Sequence, residues 1–338
     1  MNDKQEILDQ EIDNFSEEEL RKLPLNPLAD PVVAAMFTNE DVAGLAAQSL
    51  VNAVLEMDGD PPMSKIIRLS SQKVIAYATI DRGYRLDIEG LSEKKLSDTE
   101  IQLTQLKMND RAFLYAGQLA AINAKRGQTM PNLLKEMPRI LMININWFDV
   151  RKDHPDFTQP VDLMYRKPDP ESNVYSPASD RVHIYNVSVT KFKHNILPGL
   201  KGKPYDPKAP RLYYWLWALA ESHSARISLS EVIQMNAALQ EFIKDDKGFE
   251  QYKERYEEVS DDLTVRRQFA IWTAEMNKID LAEARGREEG EAKGRAEGER
   301  EKAIDAARKL LSLGIDPAII AQAEGLPLVE VLELGRAV

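Results

Sequence analysis

The ten residues 139–148, RILMININWF, constrain the fold more than any other stretch. They form a nearly continuous apolar run. Such a run reads as a central strand covered on both faces, and a strand covered twice requires a layer on each side of its sheet. Two amphipathic helices are available for those layers. EDVAGLAAQSLVNAVLEM, residues 40–57, sets Val42, Leu45, Leu50, Val51, Val54 and Leu55 at helical spacing and opens with acids at the favourable dipole end. DRAFLYAGQLAAINAK, residues 110–125, is the second, with Phe113, Leu114, Ala116, Leu119, Ala120 and Ile122 as its expected buried face and a basic KRG ending.

Strand-like runs lie between the helices at KIIRL (65–69), KVIAYAT (73–79), YRLDIEG (84–90) and TEIQLTQL (99–106), and two more follow at VDLMYR (161–166) and RVHIYNVSVTKF (181–192). The order of helix, strand meander, helix and returning strand predicts an α/β fold with a mixed sheet between helices. An all-α region follows it. The expected divisions are an acidic arm over 1–25, the sheet-bearing domain over 26–196, a Pro/Gly/Lys linker over 197–211 and a helical domain over 212–283. A charged helix over 284–302 and a helical assembly segment over 303–338 complete the chain. The aromatic run YYWLW (213–217) reads as core.

GREEGEAKGRAEG places Gly286, Gly290, Gly294 and Gly298 four apart, with Arg287, Glu291, Arg295 and Glu299 alternating in sign between them. Each interior glycine costs a helix about 1 kcal/mol against alanine, and charge pairs four apart return only about 0.2–0.5 kcal/mol each. A helix whose glycine stripe lets a second helix approach closely is the favoured reading, and a charged spacer the bland one. The ending, with turns at LGIDP and EGLP, has a helix-turn-helix rhythm. Its last helix carries Glu330 and Glu333 where a DNA reader would need basic or amide side chains, so a hairpin used for assembly, as a homodimer, is expected.

The chain has no cysteine, which rules out disulfides, thiolate metal sites and a cysteine nucleophile. Its start, MNDKQEILDQ, lacks the apolar core of a secretory signal. No apolar window is long enough to span a bilayer. A cytoplasmic protein without a membrane partner is the expectation. Net charge is −11, but residues 101–211 hold 17 Lys and Arg against 10 Asp and Glu, a local +7 that leaves −18 for the rest. A phosphate-bearing partner would meet the middle of the chain.

The candidate chemistry lies in RLDIEGLSEKKLSDTEIQL, residues 85–103. In the second strand Glu100 and Gln102 face opposite to Thr99, Ile101 and Leu103. If the two strands pair as a hairpin, Asp87 and Glu100 converge at one edge of the sheet. With the backbone carbonyl of Ile101 they would offer hard oxygen ligands to Mg²⁺ or Mn²⁺. Such an ion polarises a phosphodiester and lowers the pKa of a bound water. By itself the pattern is common, and exposed acids on a sheet rim are the plainer reading. The four histidines, His154, His183, His194 and His223, show no metal-ligand spacing. Arg111 is a candidate phosphate contact or the partner of a nearby acid, and Lys191 and Lys193, with Lys201 and Lys203, form a basic cluster after the sheet.

The order of these elements and several local words resemble the recombination-promoting nuclease family, the PD-(D/E)XK nuclease family transposases. NPLADPVVAAMF, with Asp30 and Phe37, looks like its opening box, and SLVNAVL, with Asn52, its first helix end. YRLDIEG is similar to the strand ending in the first acid, TEIQL to the Glu-Ile-Gln that follows, and DRAFLYAGQL to the next helix with Arg111 and Tyr115. VSVTKF, LYYWLWAL and the tail are similar as well, so the likeness spans most of 26–335. The resemblance implies a restriction-endonuclease-like core and a metal-dependent endonuclease acting on DNA in recombination or mobile-element biology. It assigns Asp87 and Glu100 as metal ligands and catalytic acids, and puts Gln102 where the broader superfamily has lysine. Glutamine can hydrogen-bond but lacks the charge that stabilises a developing anion. VVAAMF also lacks the Phe-Lys pair often seen in the opening box. The alternatives are a catalytically decayed DNA-binding or assembly protein and a nuclease effector in phage defence.

Overall fold

The computed structural model describes residues 15–37, 40–75, 84–103, 108–122, 129–162 and 181–336. They form two compact units, one ending at Trp272 and one beginning at Thr273. Six strands, β1 (Arg68–Ile75), β2 (Tyr84–Leu91), β3 (Lys95–Gln102), β4 (Arg139–Asn146), β5 (Thr158–Asp162) and β6 (Val182–Ser188), make one sheet in the order β1-β2-β3-β4-β6-β5. β3, β4 and β6 are parallel, and β1, β2 and β5 join antiparallel. The apolar run that opened the reading is β4, held between β3 and β6 and buried from residue 140 to 146. The described helices are α1 (Glu17–Lys22), α2 (Asp30–Met36), α3 (Glu40–Met57), α4 (Met108–Ile122), α5 (Met130–Glu136), α6 (Val189–Asn195), α7 (Leu197–Leu200), α8 (Arg211–Ala225), α9 (Leu229–Met235), α10 (Ala237–Asp245), α11 (Lys247–Asp261), α12 (Leu263–Ser312), α13 (Pro317–Glu324) and α14 (Leu328–Arg336).

Each face of the sheet is covered. Ile101, Ile143, Ile145 and Val187 pack in one cluster with Val51 and Val54 of α3 and Trp215 of α8. Leu96, Ile140, Met142 and Ile184 pack on the other side against Ala112, Tyr115, Ala116 and Leu119 of α4. The face of α4 therefore differs from the expected one, since Phe113 and Leu114 are 60% and 52% exposed. Small residues at 112 and 116 let the helix lie close to the strands, which turns the two larger side chains outward.

Three further expectations are corrected. KIIRL and the start of KVIAYAT form one strand, β1, because its polar centre, Ser70 and Ser71, is kept in register opposite Glu89 and Ile88 at the sheet edge. The end of KVIAYAT, the end of VDLMYR and the KRG ending lie outside the described residues. VTKF begins helix α6, capped by Ser188, whose side chain accepts from Lys191 N. The chain also divides at residue 272 rather than at a 197–211 linker, which itself contains α7. Leu212, Trp215, Leu216, Trp217 and Leu219 make α8 apolar on every side, so it is buried within the same core as the sheet.

Helix α11 meets α3 at a very close approach. A Cβ on Gly248 would stand 2.3 Å from Ser49 Cβ and 2.5 Å from Leu45 O. Asp246 caps α11 by accepting from Gly248 N and Phe249 N, both at 2.9 Å. Ser49 Oγ donates to the same carboxylate at 2.7 Å and accepts from Trp215 Nε1 at 3.3 Å.

In the second unit, helix runs through all four glycines of the repeat. Within 4 Å of a Cβ on Gly286, Gly290, Gly294 or Gly298 there is nothing among the described residues. Ala307, Ile320, Ala321, Leu326 and Val331 form a small core from α12, α13 and α14. Gly314 (φ +78) and Gly325 (φ +65) make the two left-handed turns between these helices, a conformation that favours glycine.

Candidate active site

β2 and β3 are antiparallel neighbours, with Ile88 opposite Thr99. Asp87 and Glu100 are the next residues outward on the two strands; the Asp87 side chain lies outside the described residues. Glu100 is 1% exposed. A carboxylate so deeply placed needs donors, and it has them: Arg111 Nη2 donates to Glu100 Oε2 at 2.9 Å and Gln102 Nε2 to the same oxygen at 3.1 Å. Arg111 is positioned by its own helix, one turn before Tyr115. Its Nε donates to Tyr115 Oη at 2.8 Å, and its guanidinium lies 5.0 Å from that ring's centroid. Burial, and then the nearby charge of Glu100, push the Tyr115 hydroxyl up to about 12, so it stays protonated.

Registered neighbours in a sheet share a face. Glu100 is beside Asn144 and Gln102 beside Asn146 on β4; Asn144 is beside Asn186 and Asn146 beside Ser188 on β6. Asn186 is in turn opposite Gln159 on β5. At the carboxy ends of the parallel strands, the face under α4 thus turns from aliphatic to polar. All of these side chains are buried. Two further acids share this face one step inward, Glu89 and Asp98, which pair across β2 and β3 and are 1% and 0% exposed.

Sequence reasoning missed Asn144, Asn146, Asn186, Glu89 and Asp98. Asn144 and Asn146 were hidden inside an apolar run, and the acids looked like a solvated hairpin. The usable signal was parity: 144 and 146 alternate with Ile143 and Ile145, as 98 and 100 do with Thr99 and Ile101. The Ile101 side chain belongs to the opposite core.

Lys191 differs from its expected role. It is 9% exposed, and its ammonium donates to the carbonyl oxygens of Arg151, at 2.5 Å, and His154. It holds the loop after β4 and is committed there rather than offered to phosphate. Lys193, two residues on, donates to Ser224 Oγ at 2.7 Å. Of the histidines, His183 lies between Asp162, at 2.8 Å, and Arg139, at 2.6 Å, away from Glu100 in register.

The donor set around Glu100 is oxygen-bearing, with neither thiolate nor imidazole among the described side chains. Asn144 Oδ1 and Asn146 Oδ1 are buried without a partner among the described residues. That chemistry fits a hard divalent cation such as Mg²⁺ or Mn²⁺ better than zinc. Among the described residues no group of three His, Asp or Glu gathers as a complete metal cage, so Asp87 would have to contribute.

A mixed sheet between helical layers, with a buried carboxylate and amide at the ends of its parallel strands and an arginine reaching the carboxylate from the covering helix, is a restriction-endonuclease-like core. The family model described as PD-(D/E)XK nuclease family transposase matches residues 27–268, and the chain belongs to that family. No curated protein and no solved structure matches it significantly. Membership brings a nuclease- or transposase-like role, and PD-(D/E)XK nucleases generally use divalent metal ions. No helix among the described residues is long and apolar enough to cross a membrane.

Proposed function

We propose that the protein is a metal-dependent DNA endonuclease of recombination or mobile-element biology, with Asp87 and Glu100 as metal ligands and Gln102 beside the attacking water. What supports this most is Glu100, a carboxylate kept at 1% exposure by a directed arginine and amide, on a strand paired to the one that carries Asp87. Asp87, Glu100 and the carbonyl of Ile101 would hold Mg²⁺ or Mn²⁺, which when bound polarises the phosphodiester and acidifies water. Gln102 gives its Nε2 to Glu100, which leaves its amide oxygen to orient a water proton. Arg111, 30% exposed at its side chain, can reach a phosphate oxygen while it neutralises Glu100. Lys193 is the second candidate phosphate contact. Water forms the new bond to phosphorus as the bond to the leaving strand oxygen breaks.

The protein acts as a homodimer joined through its carboxy-terminal helices. Each glycine of the stripe is flanked by like charges: Arg285 and Arg287, Glu289 and Glu291, Lys293 and Arg295, Glu297 and Glu299. Two stripes laid antiparallel, Gly290 on Gly294 and Gly286 on Gly298, bring every one of these residues against an opposite charge. Laid parallel in register, they bring like against like.

The deciding experiment is cleavage of supercoiled plasmid with Mg²⁺ or Mn²⁺. Wild-type protein should nick it only with metal, and Asp87→Ala and Glu100→Ala should each lower the rate about 100-fold or more. A folded wild-type chain that binds DNA and never cuts it with any metal would instead favour a decayed binding or assembly protein, for which Gln102 in place of lysine is the motivating feature.

A further inference from the structure

Asn144 and Asn146 are 0% exposed, side by side along β4 on the face of Glu100. Both amide nitrogens are engaged within the sheet. Asn144 Nδ2 donates to Asn186 Oδ1 at 3.0 Å, and Asn146 Nδ2 donates to the backbone oxygen of Asn144 at 3.2 Å. Among the described residues, both amide oxygens are left without a donor. The same holds for Gln118 Oε1 on α4, the helix over this face, and for Gln159 Oε1 on β5. One buried acceptor without a donor is a rare cost. Two side by side on one strand, in register with Glu100 and Gln102, describe a place where something with protons belongs.

Aliphatic side chains of the same size would fill this layer without that cost, so the amides are there to accept. Water is small enough to serve, but ordinary water explains neither the position nor the pairing. The two orphaned oxygens on β4 stand in register with Glu100 and Gln102, the residues proposed to hold the metal and its nucleophile. A divalent ion of the Mg²⁺ type keeps several waters when a protein binds it, and those waters are stronger donors than bulk water. We propose that Asn144 and Asn146 are positioning residues that accept hydrogen bonds from water in the coordination shell of the divalent ion held at Glu100. The engaged nitrogens fix each amide so that only its oxygen faces the ion's water. This inference rests on the nuclease reading above.

The test uses the full chain without DNA and titrates Mn²⁺, followed by the electron paramagnetic resonance of the free ion. Asn144→Leu and Asn146→Leu should each weaken Mn²⁺ binding about 10-fold or more, as loss of outer-shell partners does in other metal sites. The metal-free melting temperature of Asn146→Leu should be unchanged or higher, since it removes a buried unsatisfied oxygen, while Asn144→Leu also takes a donor from Asn186 Oδ1 and is compared at matched folded fraction. Asn144→Asp gives up the donor to Asn186 Oδ1 but keeps an acceptor oxygen toward the ion, so it should bind Mn²⁺ more tightly than Asn144→Leu, which a purely structural role for Asn144 would not produce. Unchanged Mn²⁺ affinity in both leucine variants, with binding abolished by Glu100→Ala, overturns the inference and leaves the nuclease reading intact. A leucine variant that does not fold is replaced in the comparison by the alanine variant at the same position, read by the same outcomes. Absence of Mn²⁺ binding by the wild-type chain removes both.

Discussion

His223 ties three parts of the first unit together. Its Nδ1 lies 2.9 Å from Asn26 Nδ2, so the ring is neutral with its proton on Nε2, and Trp147, just past β4, meets it edge-on at 5.1 Å between centroids. Burial, followed by the charges of Lys193 and Arg226, holds its pKa below the usual 6.5. Above pH 6.5 both folded and unfolded chains carry the neutral ring and it adds no pH dependence. As pH falls below 6.5 the unfolded chain takes up the proton first, so stability is lost down through the folded value. Thermal melts at pH 7.5 and 5.5 should show a larger drop for wild type than for His223→Gln, which keeps an acceptor toward Asn26. A residue-scale reading of sequence does not reach this. The four histidines lack metal spacing, and that much was legible, but nothing near residue 223 announces a partner 197 positions away. Glu100 and Gln102 were legible as one face of a strand. Lys191 misled because a lysine-rich stretch looks solvated whichever way its individual ammonium groups turn.

At the scale of elements, the α3–α11 crossing depends on one missing methyl group. Backbone and a side-chain Cβ both stand inside contact distance of any Cβ at position 248, so neither can yield cheaply. Gly248→Ala should lower the unfolding free energy by about 1–3 kcal/mol, the usual cost of overpacking, read from the urea midpoint. It also wedges apart the helix ends that carry the Asp246–Ser49–Trp215 hydrogen bonds. The sequence showed a helix in this region without showing the crossing, because a glycine in a first turn looks like any loop glycine. Elements with a strong period were legible: α3, α4, β3 and β4 stand where periodicity put them, within a few residues. Periodicity failed where a cap outweighed it. VTKF has the β-branched look of a strand, yet Ser188 supplies the hydrogen bond that starts a helix. Within the expected helical domain, the extended Asn236 divides the chain into α9 and α10.

For the molecule as a whole, the proposed dimer has a register that can be tested directly because the chain has no cysteine of its own. A slip of four residues from the antiparallel alignment sets like charges together, and a slip of eight leaves half of the glycines unmatched. A four-residue period exceeds the 3.6 of the helix, so the paired stripes should wrap with a right-handed twist. Gly290→Cys and Gly294→Cys chains, mixed and oxidised, should cross-link to each other while each alone stays largely uncross-linked. Parallel pairing would give the reverse, and monomers throughout would remove the dimer.

The core shared by the sheet and α8 has a consequence in the gene. The six described strands are written by codon 188, but the aromatic helix that packs in their core comes from codons 211 to 225, and the compact unit ends only at codon 272. A nonsense or frameshift allele between 188 and 211 therefore encodes every strand and still specifies no stable protein. One just after 272 should leave a folded product without the helices proposed to pair it. Decaying copies of such a gene should fall into these two classes, silent and solitary, according to which side of that stretch the first lesion lands.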